Sequence, residues 1–197
     1  MSRGSSKVKS LLIIVIVLVL AVIGGKFILQ KAFPPSDYDS YIVEAANKYN
    51  VSPYTLLSVI KLRSGFDAEK TSSSDPTRYG LMQITEEAWK ANAFKAYVDG
   101  NKYTDPEKNI KVGTYILSSL MKKYGDERTA LAAFYIGEAT VDGWLADLPT
   151  ASGDKKTLDD IPESDVNHFC KEVKNYERIY GFLYKNMESS STTSKAS

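Results

Sequence analysis

The chain has 197 residues, 43% of them hydrophobic and 25% charged, enough for one ordinary globular domain and a short additional segment. Its formal net charge of +1 hides an asymmetry, because residues 1–31 contain five basic and no acidic residues. The remainder carries 20 basic against 24 acidic side chains, a formal charge of −4. A mildly acidic domain lacks the basic surface that nucleic-acid binding requires, so we expect no nucleic-acid partner.

The first predicted element is an apolar segment without charges, LLIIVIVLVLAVIGG, which begins at residue 11. It predicts a transmembrane anchor at 11–30, because a helix needs roughly 20 apolar residues to cross a bilayer. A cleaved signal peptide is the alternative, but no small-x-small cleavage site follows the segment. Three basic residues precede the segment, Arg3, Lys7 and Lys9. They favour a cytoplasmic stub at 1–10, an extracytoplasmic domain and a single-pass location in the cell membrane. Lys26 and Lys31 lie on the other side of the segment and weaken this preference for a cytoplasmic N-terminus.

The rest of the chain divides into a linker, one domain and a tail. A short Pro-containing linker is predicted at 31–37, a domain at 38–187, and a polar tail at 188–197 that has too few apolar residues to pack. The single cysteine, Cys170, excludes a disulfide within the chain and is expected to be a buried helix residue. His168 is the only histidine, so we expect a surface helix residue, no metal site and no cofactor.

Helical periodicity and capping residues recur along the whole domain. Ser52-Pro53 and Asp105-Pro106 are typical of an N-cap followed by the first helical residue, and Thr85 precedes two acids that suit a helix N-terminus. Predicted helices therefore cover 38–49, 53–63, 128–135, 141–145 and 166–184, and two more begin at 85 and 105. The first has an apolar stripe made of Tyr41, Ile42, Ala45, Ala46 and Tyr49. No convincing period-two run or internal repeat is present, so the predicted class is all-α.

Five segments of the domain follow one another in an order and at spacings typical of one family. They read VIKLRSGFD, GLMQI, DPEKNIKVG, LAAFYIG and NYERIYGFLY, and together they span about residues 38–185. In these segments the chain resembles the soluble lytic transglycosylase (SLT) domain, a goose-lysozyme-like family that cleaves bacterial peptidoglycan. The resemblance implies a lysozyme-like multi-helix fold and peptidoglycan glycan strands as the partner.

The resemblance also implies which residue would carry the chemistry. These transglycosylases use one glutamate, in a Glu-Ser pair at a helix end, first as acid and then as base, so that the sugar's own hydroxyl closes an anhydro ring. This chain has Arg63-Ser64 at the matching place. A guanidinium has a pKa above about 12 and no acceptor lone pair, so Arg63 cannot be that acid. We therefore expect a catalytically degenerate member of the family.

Other polar positions of the family's cleft are replaced as well. The family's Ala-Tyr-Asn-Ala-Gly strip reads AFYIG at residues 133–137, and a gapless match puts Phe169 where a tyrosine is common. Residues 77–79, TRY, replace the usual Gly-Ala before GLMQ, whereas Met82 and Gln83 match. From the resemblance we predict that substrate is bound by Arg63, Ser64, Tyr79, Met82, Gln83, Phe134, Tyr135 and Phe169.

Two questions about the altered site remain open at this stage. A relocated carboxylate could restore cleavage, and the candidates are Glu86, Asp67 and Glu69, although an acid in a first helical turn, like Glu86, more commonly complements the helix dipole. Glu138, just after Gly137, is expected to be a solvated loop residue. Arg63 itself could recognise a carboxylate of the peptidoglycan, or it could close the old site by pairing with Asp67 or Glu69.

Three functions follow from these alternatives. The first is a membrane-anchored, degenerate domain that binds glycan strands or scaffolds a cell-envelope complex. The second is an active peptidoglycan lytic transglycosylase that uses a relocated acid. The third is a protein-binding module with a closed cleft.

Overall fold

The computed structural model describes residues 3–147, 151–153, 156–185 and 187, with side chains from residue 12 onward. The polar tail predicted at 188–197 lies outside these residues. Contacts divide the chain into two compact units, Met1–Pro35 and Ser36–Ser197, which we describe separately.

The first unit is a single helix, α1 (Arg3–Ala32). Its stretch Leu12–Ala32 has 21 residues and is long and apolar enough to cross a membrane. At a rise of about 1.5 Å per residue it would extend about 31 Å, which matches the roughly 30 Å hydrocarbon thickness of a bilayer. The helix continues through Ala32, so it includes the first two residues of the predicted linker.

The second unit is helical, as predicted, and contains one short antiparallel ribbon. Its described elements are α2 (Asp39–Tyr49), α3 (Pro53–Arg63), β1 (Arg78–Tyr79), β2 (Ile84–Thr85), α4 (Glu86–Asn92), α5 (Pro106–Tyr124), α6 (Glu127–Ile136), α7 (Glu138–Ala146) and α8 (Ser164–Leu183).

The predicted helix starts are confirmed by side-chain caps. The Ser52 side chain accepts a hydrogen bond from the Tyr54 amide at 3.2 Å. The Thr85 side chain accepts from the amide of Ala88 at 3.1 Å, and Asp105 accepts from that of Lys108 at 3.1 Å. Each cap satisfies an amide that has no partner inside the first helical turn, which stabilises the start by about 1 kcal/mol.

Two features of the fold were not predicted. The ribbon pairs Arg78 with Thr85 and Tyr79 with Ile84, and strands of two residues are too short to show a period-two pattern. Tyr41, assigned to the apolar stripe of α2, is instead 37% exposed. Cys170 is buried on α8 and His168 is an exposed residue of the same helix, as expected.

Helix α3 lies in the centre of the domain core. Its residues from Thr55 to Ile60 are all buried, so the helix is covered on every side rather than on one face. It packs against α8 and α2, while α5 packs against α2 and α6. Arg63 is the last residue of α3, so its backbone is held by a helix that is covered on every side.

The GLMQI segment, residues 80–84, is locked onto α5 by one asparagine. Asn109 accepts a hydrogen bond from the Met82 amide at 2.8 Å and donates to the carbonyl oxygens of Tyr79 and Tyr103 at 3.0 and 2.8 Å. Gly80 has φ +72°, and a Cβ there would lie 2.5 Å from Asn109 Nδ2, so only glycine fits.

Met82 fills the other contact between this segment and α5. It is fully buried, and a Cβ added at Gly113 would lie 2.4 Å from its Sδ and 2.9 Å from its Cβ. The absence of a side chain at Gly113 is therefore what lets the GLMQI segment approach α5 so closely.

We expect Gly113→Ala to lower the free energy of unfolding by about 1–3 kcal/mol, because the added methyl group overpacks the contact with Met82. The matched control is Gly143→Ala on α7, where nothing lies within 4 Å of the added Cβ. That variant should gain about 0.5–1 kcal/mol through helix propensity. Urea denaturation of the full chain in detergent micelles would measure both, and equal stabilities of the two variants would contradict the packing argument.

Candidate active site

Arg63 directs its guanidinium from the end of α3 onto the GLMQI segment. Its Nη2 donates a hydrogen bond to the carbonyl oxygen of Gln83 at 3.3 Å. The Arg63 carbonyl accepts a hydrogen bond from Lys70 Nζ at 2.8 Å. The end of α3, the following loop and the GLMQI segment are thus connected through one residue.

Two aromatic rings complete the surroundings of this guanidinium. Its Cζ lies 4.7 Å from the ring centroid of Tyr135 on α6 and 5.9 Å from that of Phe169 on α8. The two rings contact each other, with centroids 4.8 Å apart and planes tilted by 40°. Cation–π contacts of this kind contribute about 0.5–2 kcal/mol each. Residues from α3, α6 and α8, which are far apart in sequence, therefore meet at Arg63.

The charge of Arg63 is poorly compensated. Burial, with a smaller contribution from the nearby guanidinium of Arg78, lowers the pKa of Arg63 from its ordinary value to about 10, so it remains cationic at neutral pH. Its Nε is buried without a hydrogen-bond partner. Among the described residues, no carboxylate lies within 4.0 Å of either guanidinium, and all ion pairs are made by lysines.

The ion pair considered for Arg63 with Asp67 or Glu69 is therefore not formed. The carboxylate of Asp67 accepts a hydrogen bond from the Glu69 amide at 3.0 Å. Glu69 lines a different, open cavity of about 490 Å³, together with Tyr79 and Tyr103. Both acidic side chains are exposed. The loop that carries them does not fold back over Arg63.

A cleft of about 450 Å³ lies beside this cluster, between the ribbon, α4 and the junction of α6 with α7. Its apolar floor includes Ile116, Leu120 and Phe134, and Arg78 and Gln83 form part of its wall. We call it the α4–α7 cleft. A volume of this size, with an apolar floor and a few polar groups, is typical of small-ligand sites.

Two carboxylates line the α4–α7 cleft, Glu87 and Glu138. Glu138 was expected to be a solvated loop residue but is the first residue of α7, and Glu87 was not among the candidate relocated acids. Glu138 is bound to Lys123 at 2.6 Å. Glu87 makes no ion pair among the described residues and is exposed. Sequence reasoning treated Glu87 only as part of a helix start, because only the packing of α4 determines which side of that helix faces the cleft.

Glu86, the neighbouring candidate, is not placed to be a general acid. It is exposed and forms an ion pair with Lys90 at 2.5 Å. The hydrogen bond from Lys90 lowers the pKa of Glu86. A general acid working near neutral pH needs the opposite shift, toward a raised pKa.

The predicted substrate-binding residues are only partly brought together. Tyr135, Phe169 and the Gln83 carbonyl surround Arg63, and Phe134 lines the adjacent cleft. Tyr79 lies apart, with its ring 5.2 Å from that of Tyr103.

Three of the predicted substrate-binding residues, Ser64, Met82 and Gln83, make contacts inside the domain. Ser64 is buried, and its hydroxyl donates to the Ile60 carbonyl at 3.0 Å. The Gln83 side-chain amide donates to the carbonyl oxygens of Lys70 and Gly80 at 3.0 and 2.8 Å. Met82 is fully enclosed. These contacts hold the cleft wall in shape, and a direct role of these side chains in substrate binding stays a prediction.

Comparison with known families agrees with this architecture. The profile of the Transglycosylase SLT domain matches residues 40–156, more than half of the chain. This chain belongs to the SLT domain family. The family assignment implied by the five sequence segments is thereby confirmed.

Among curated proteins, the SLT chain is 28% identical over 149 residues to membrane-bound lytic murein transglycosylase E of Buchnera aphidicola. The match covers 72% of this chain and 66% of that protein.

Among solved structures, the chain is similar to the 70 kDa soluble lytic transglycosylase Slt70 of Escherichia coli, with a TM-score of 0.66, 23% identity, and coverage of 84% of this chain and 27% of the other. It is equally similar, at a TM-score of 0.66 and 23% identity, to an inactive glutamate-to-glutamine mutant of Slt from Pseudomonas aeruginosa, over 78% of this chain and 25% of that one. These structures confirm the lysozyme-like fold. The SLT chain thus spans just under two thirds of the Buchnera protein and about a quarter of the two solved chains.

The pKa of Arg63 leads to a stability prediction. Because the folded pKa of about 10 lies below the ordinary pKa of an arginine, folding disfavours the cation. The penalty is fully present below pH 10 and disappears as the pH rises from 10 toward that ordinary pKa. We expect Arg63→Met to raise the free energy of unfolding at pH 7 by about 1 kcal/mol, after loss of the Gln83 and Tyr135 contacts is included.

The control for this prediction is Arg178→Met, which removes an exposed arginine of α8 and should change stability by less than about 0.5 kcal/mol. Denaturant titrations of both variants and wild type at pH 7 would measure the difference. A loss of stability in Arg63→Met would show that the hydrogen bond and ring contacts outweigh the unfavourable burial of charge.

Proposed function

We propose that this SLT domain is a membrane-anchored pseudoenzyme that binds peptidoglycan glycan strands on the extracytoplasmic side without cleaving them. The observation that carries the proposal is the guanidinium of Arg63 at the end of α3, where the family resemblance puts the catalytic glutamate. No carboxylate among the described residues lies within 4.0 Å of it.

The chemistry of glycosidic cleavage supports the proposal that the domain does not cleave the strand. The leaving oxygen must be protonated while positive charge builds on the sugar ring. A cation at that place can deliver no proton at neutral pH and would repel the developing charge. The Pseudomonas Slt relative is inactive as a glutamate-to-glutamine mutant, a far milder change than glutamate to arginine.

Binding of glycan is supported by the shape of the site. The α4–α7 cleft has an apolar floor and polar walls, a combination that suits sugar rings with their apolar faces and hydroxyl edges. Its volume of about 450 Å³ favours ligand binding over the alternative of a protein-binding module with a closed cleft.

Membrane anchoring is supported by α1 and by the Buchnera relative, whose name describes it as membrane-bound. The basic residues that precede the apolar stretch favour a cytoplasmic N-terminus, which would put the domain on the side of the cell wall. Cell-envelope scaffolding is the further role that such a placement would permit.

Cleavage through Glu87 is the second candidate function. It is the cleft carboxylate without an ion pair among the described residues, so it is the acid with the best access to a bound strand. Its exposure argues against the role, because a general acid of this kind is normally enclosed by apolar surface.

We expect the full chain, reconstituted in detergent micelles, to release no 1,6-anhydro-muropeptides from purified sacculi. Liquid chromatography with mass spectrometry would detect them, and sedimentation with the same sacculi would report binding. Wild type should sediment with sacculi without releasing product. The matched control is Glu87→Gln, which should behave in the same way.

The outcomes separate the candidate functions. Release by wild type that is lost in Glu87→Gln would replace our proposal with the relocated-acid enzyme. No release and no sedimentation would favour the protein-binding module. Arg63→Glu returns a carboxyl to the end of α3 and should release more product than wild type.

A further inference from the structure

We propose that Arg63 and Arg78 together form a receptor for a carboxylate group of the bound strand. This inference rests on the proposed function and specifies which part of the ligand the domain recognises. The ligand class is an acidic glycan, in which sugar rings carry carboxylate substituents, rather than a neutral polysaccharide.

The two arginines reach the same region from different elements. Arg63 ends α3 and Arg78 lies in β1, opposite Thr85 of β2. Gln83 connects them, because its carbonyl oxygen accepts the hydrogen bond from Arg63 while the residue lines the α4–α7 cleft together with Arg78. Each guanidinium is partly buried, so the repulsion between them is screened less than it would be in water.

The domain does not neutralise this pair itself. Its residues beyond position 31 have a surplus of acids, yet no described carboxylate lies within 4.0 Å of Arg63 or Arg78, and lysines supply the cation in every ion pair among the described residues. Arg63 Nε is buried without a partner, and Nη2 makes the one hydrogen bond found for this side chain among the described residues. Two partly buried cations with no counterion are an unfavourable arrangement that an anionic ligand would relieve.

A carboxylate suits this site better than a neutral group does. Guanidinium groups hold carboxylates through paired N–H donors, and these charge-assisted bonds are about twice as strong as neutral ones. The rings of Tyr135 and Phe169 fix the plane of Arg63, so little side-chain freedom is lost on binding. Both guanidiniums keep their charge across the physiological range, so recognition should not depend on pH between 6 and 8.

Peptidoglycan strands supply such groups at regular intervals. Once its peptide is removed, every second sugar carries a lactyl ether that ends in a free carboxylate, whereas chitin has the same backbone without that group. The apolar floor of the cleft, with Ile116 and Phe134, would then contact a sugar ring while the carboxylate reaches the two arginines.

The test compares three probes on the full chain in detergent micelles by isothermal titration calorimetry. They are peptide-free peptidoglycan oligosaccharides, chitin oligosaccharides of the same length, and sodium lactate. We expect wild type to bind the carboxylated oligosaccharide at least tenfold more tightly than chitin, and lactate most weakly. Raising the salt concentration should weaken only the two anionic probes.

The variants are Arg78→Gln, Arg63→Gln and the matched control Arg178→Gln, an exposed arginine of α8. Substitution of either Arg63 or Arg78 should reduce affinity for the carboxylated oligosaccharide to that for chitin, and the control should bind like wild type. Melting temperatures would show that each variant folds. If Arg63→Gln does not fold, Arg78→Gln still tests the proposal, because Arg78 lies outside the core.

Each other outcome overturns the inference in a distinguishable way. Equal affinity of wild type for the carboxylated and neutral oligosaccharides would exclude a carboxylate receptor and leave glycan binding intact. Lactate binding as tight as the oligosaccharide would reveal an anion site that ignores the sugar. Failure to bind either oligosaccharide would overturn both this inference and the proposed function.

Discussion

The unneutralised positive charge of Arg63 is the constraint on which the site depends. Its guanidinium is held by the Gln83 carbonyl and by the rings of Tyr135 and Phe169, contacts that stabilise a cation without cancelling its charge. Arg78 adds a second positive charge and lowers the pKa of Arg63 further, but not far enough to discharge it at neutral pH. The cleft wall is therefore permanently electropositive in a domain with an excess of acids, and this excludes a proton donor at Arg63 while favouring an anionic ligand.

The contacts that hold the backbone around this site do not depend on a residue that transfers protons. Asn109 of α5 accepts a hydrogen bond from Met82 of the GLMQI segment and donates to the carbonyl oxygens of Tyr79 and Tyr103, and Gly113 leaves the space that Met82 fills. None of these contacts involves a group that must give or take a proton. The contacts that hold the GLMQI segment on α5 therefore do not require a proton-transferring group at position 63, so in this domain the fold can be considered separately from the reaction.

Much of the fold was predictable because its signals are local. The caps at Ser52, Thr85 and Asp105 are decided by bonds within four residues, and the apolar stretch of α1 is recognisable from composition alone. The two-residue ribbon was missed because so short a pairing leaves no periodic pattern. Tyr41 was assigned to the apolar stripe of α2 but is exposed, because a broad apolar stripe does not show where the buried face of a helix ends.

The sequence by itself determined the helical class and the SLT family, and it shows an arginine at position 63, where residue identity alone decides that the side chain has no carboxyl group. Only the tertiary structure decided the surroundings of that arginine. In the folded domain, Tyr135, Phe169 and Gln83 contact Arg63. Asp67 and Glu69 form no ion pair with it, and Glu87 rather than Glu86 lines the α4–α7 cleft. The physical reason is that these contacts depend on how α3, α4, α6 and α8 pack against one another, and interactions between residues far apart along the chain are not encoded in any local pattern.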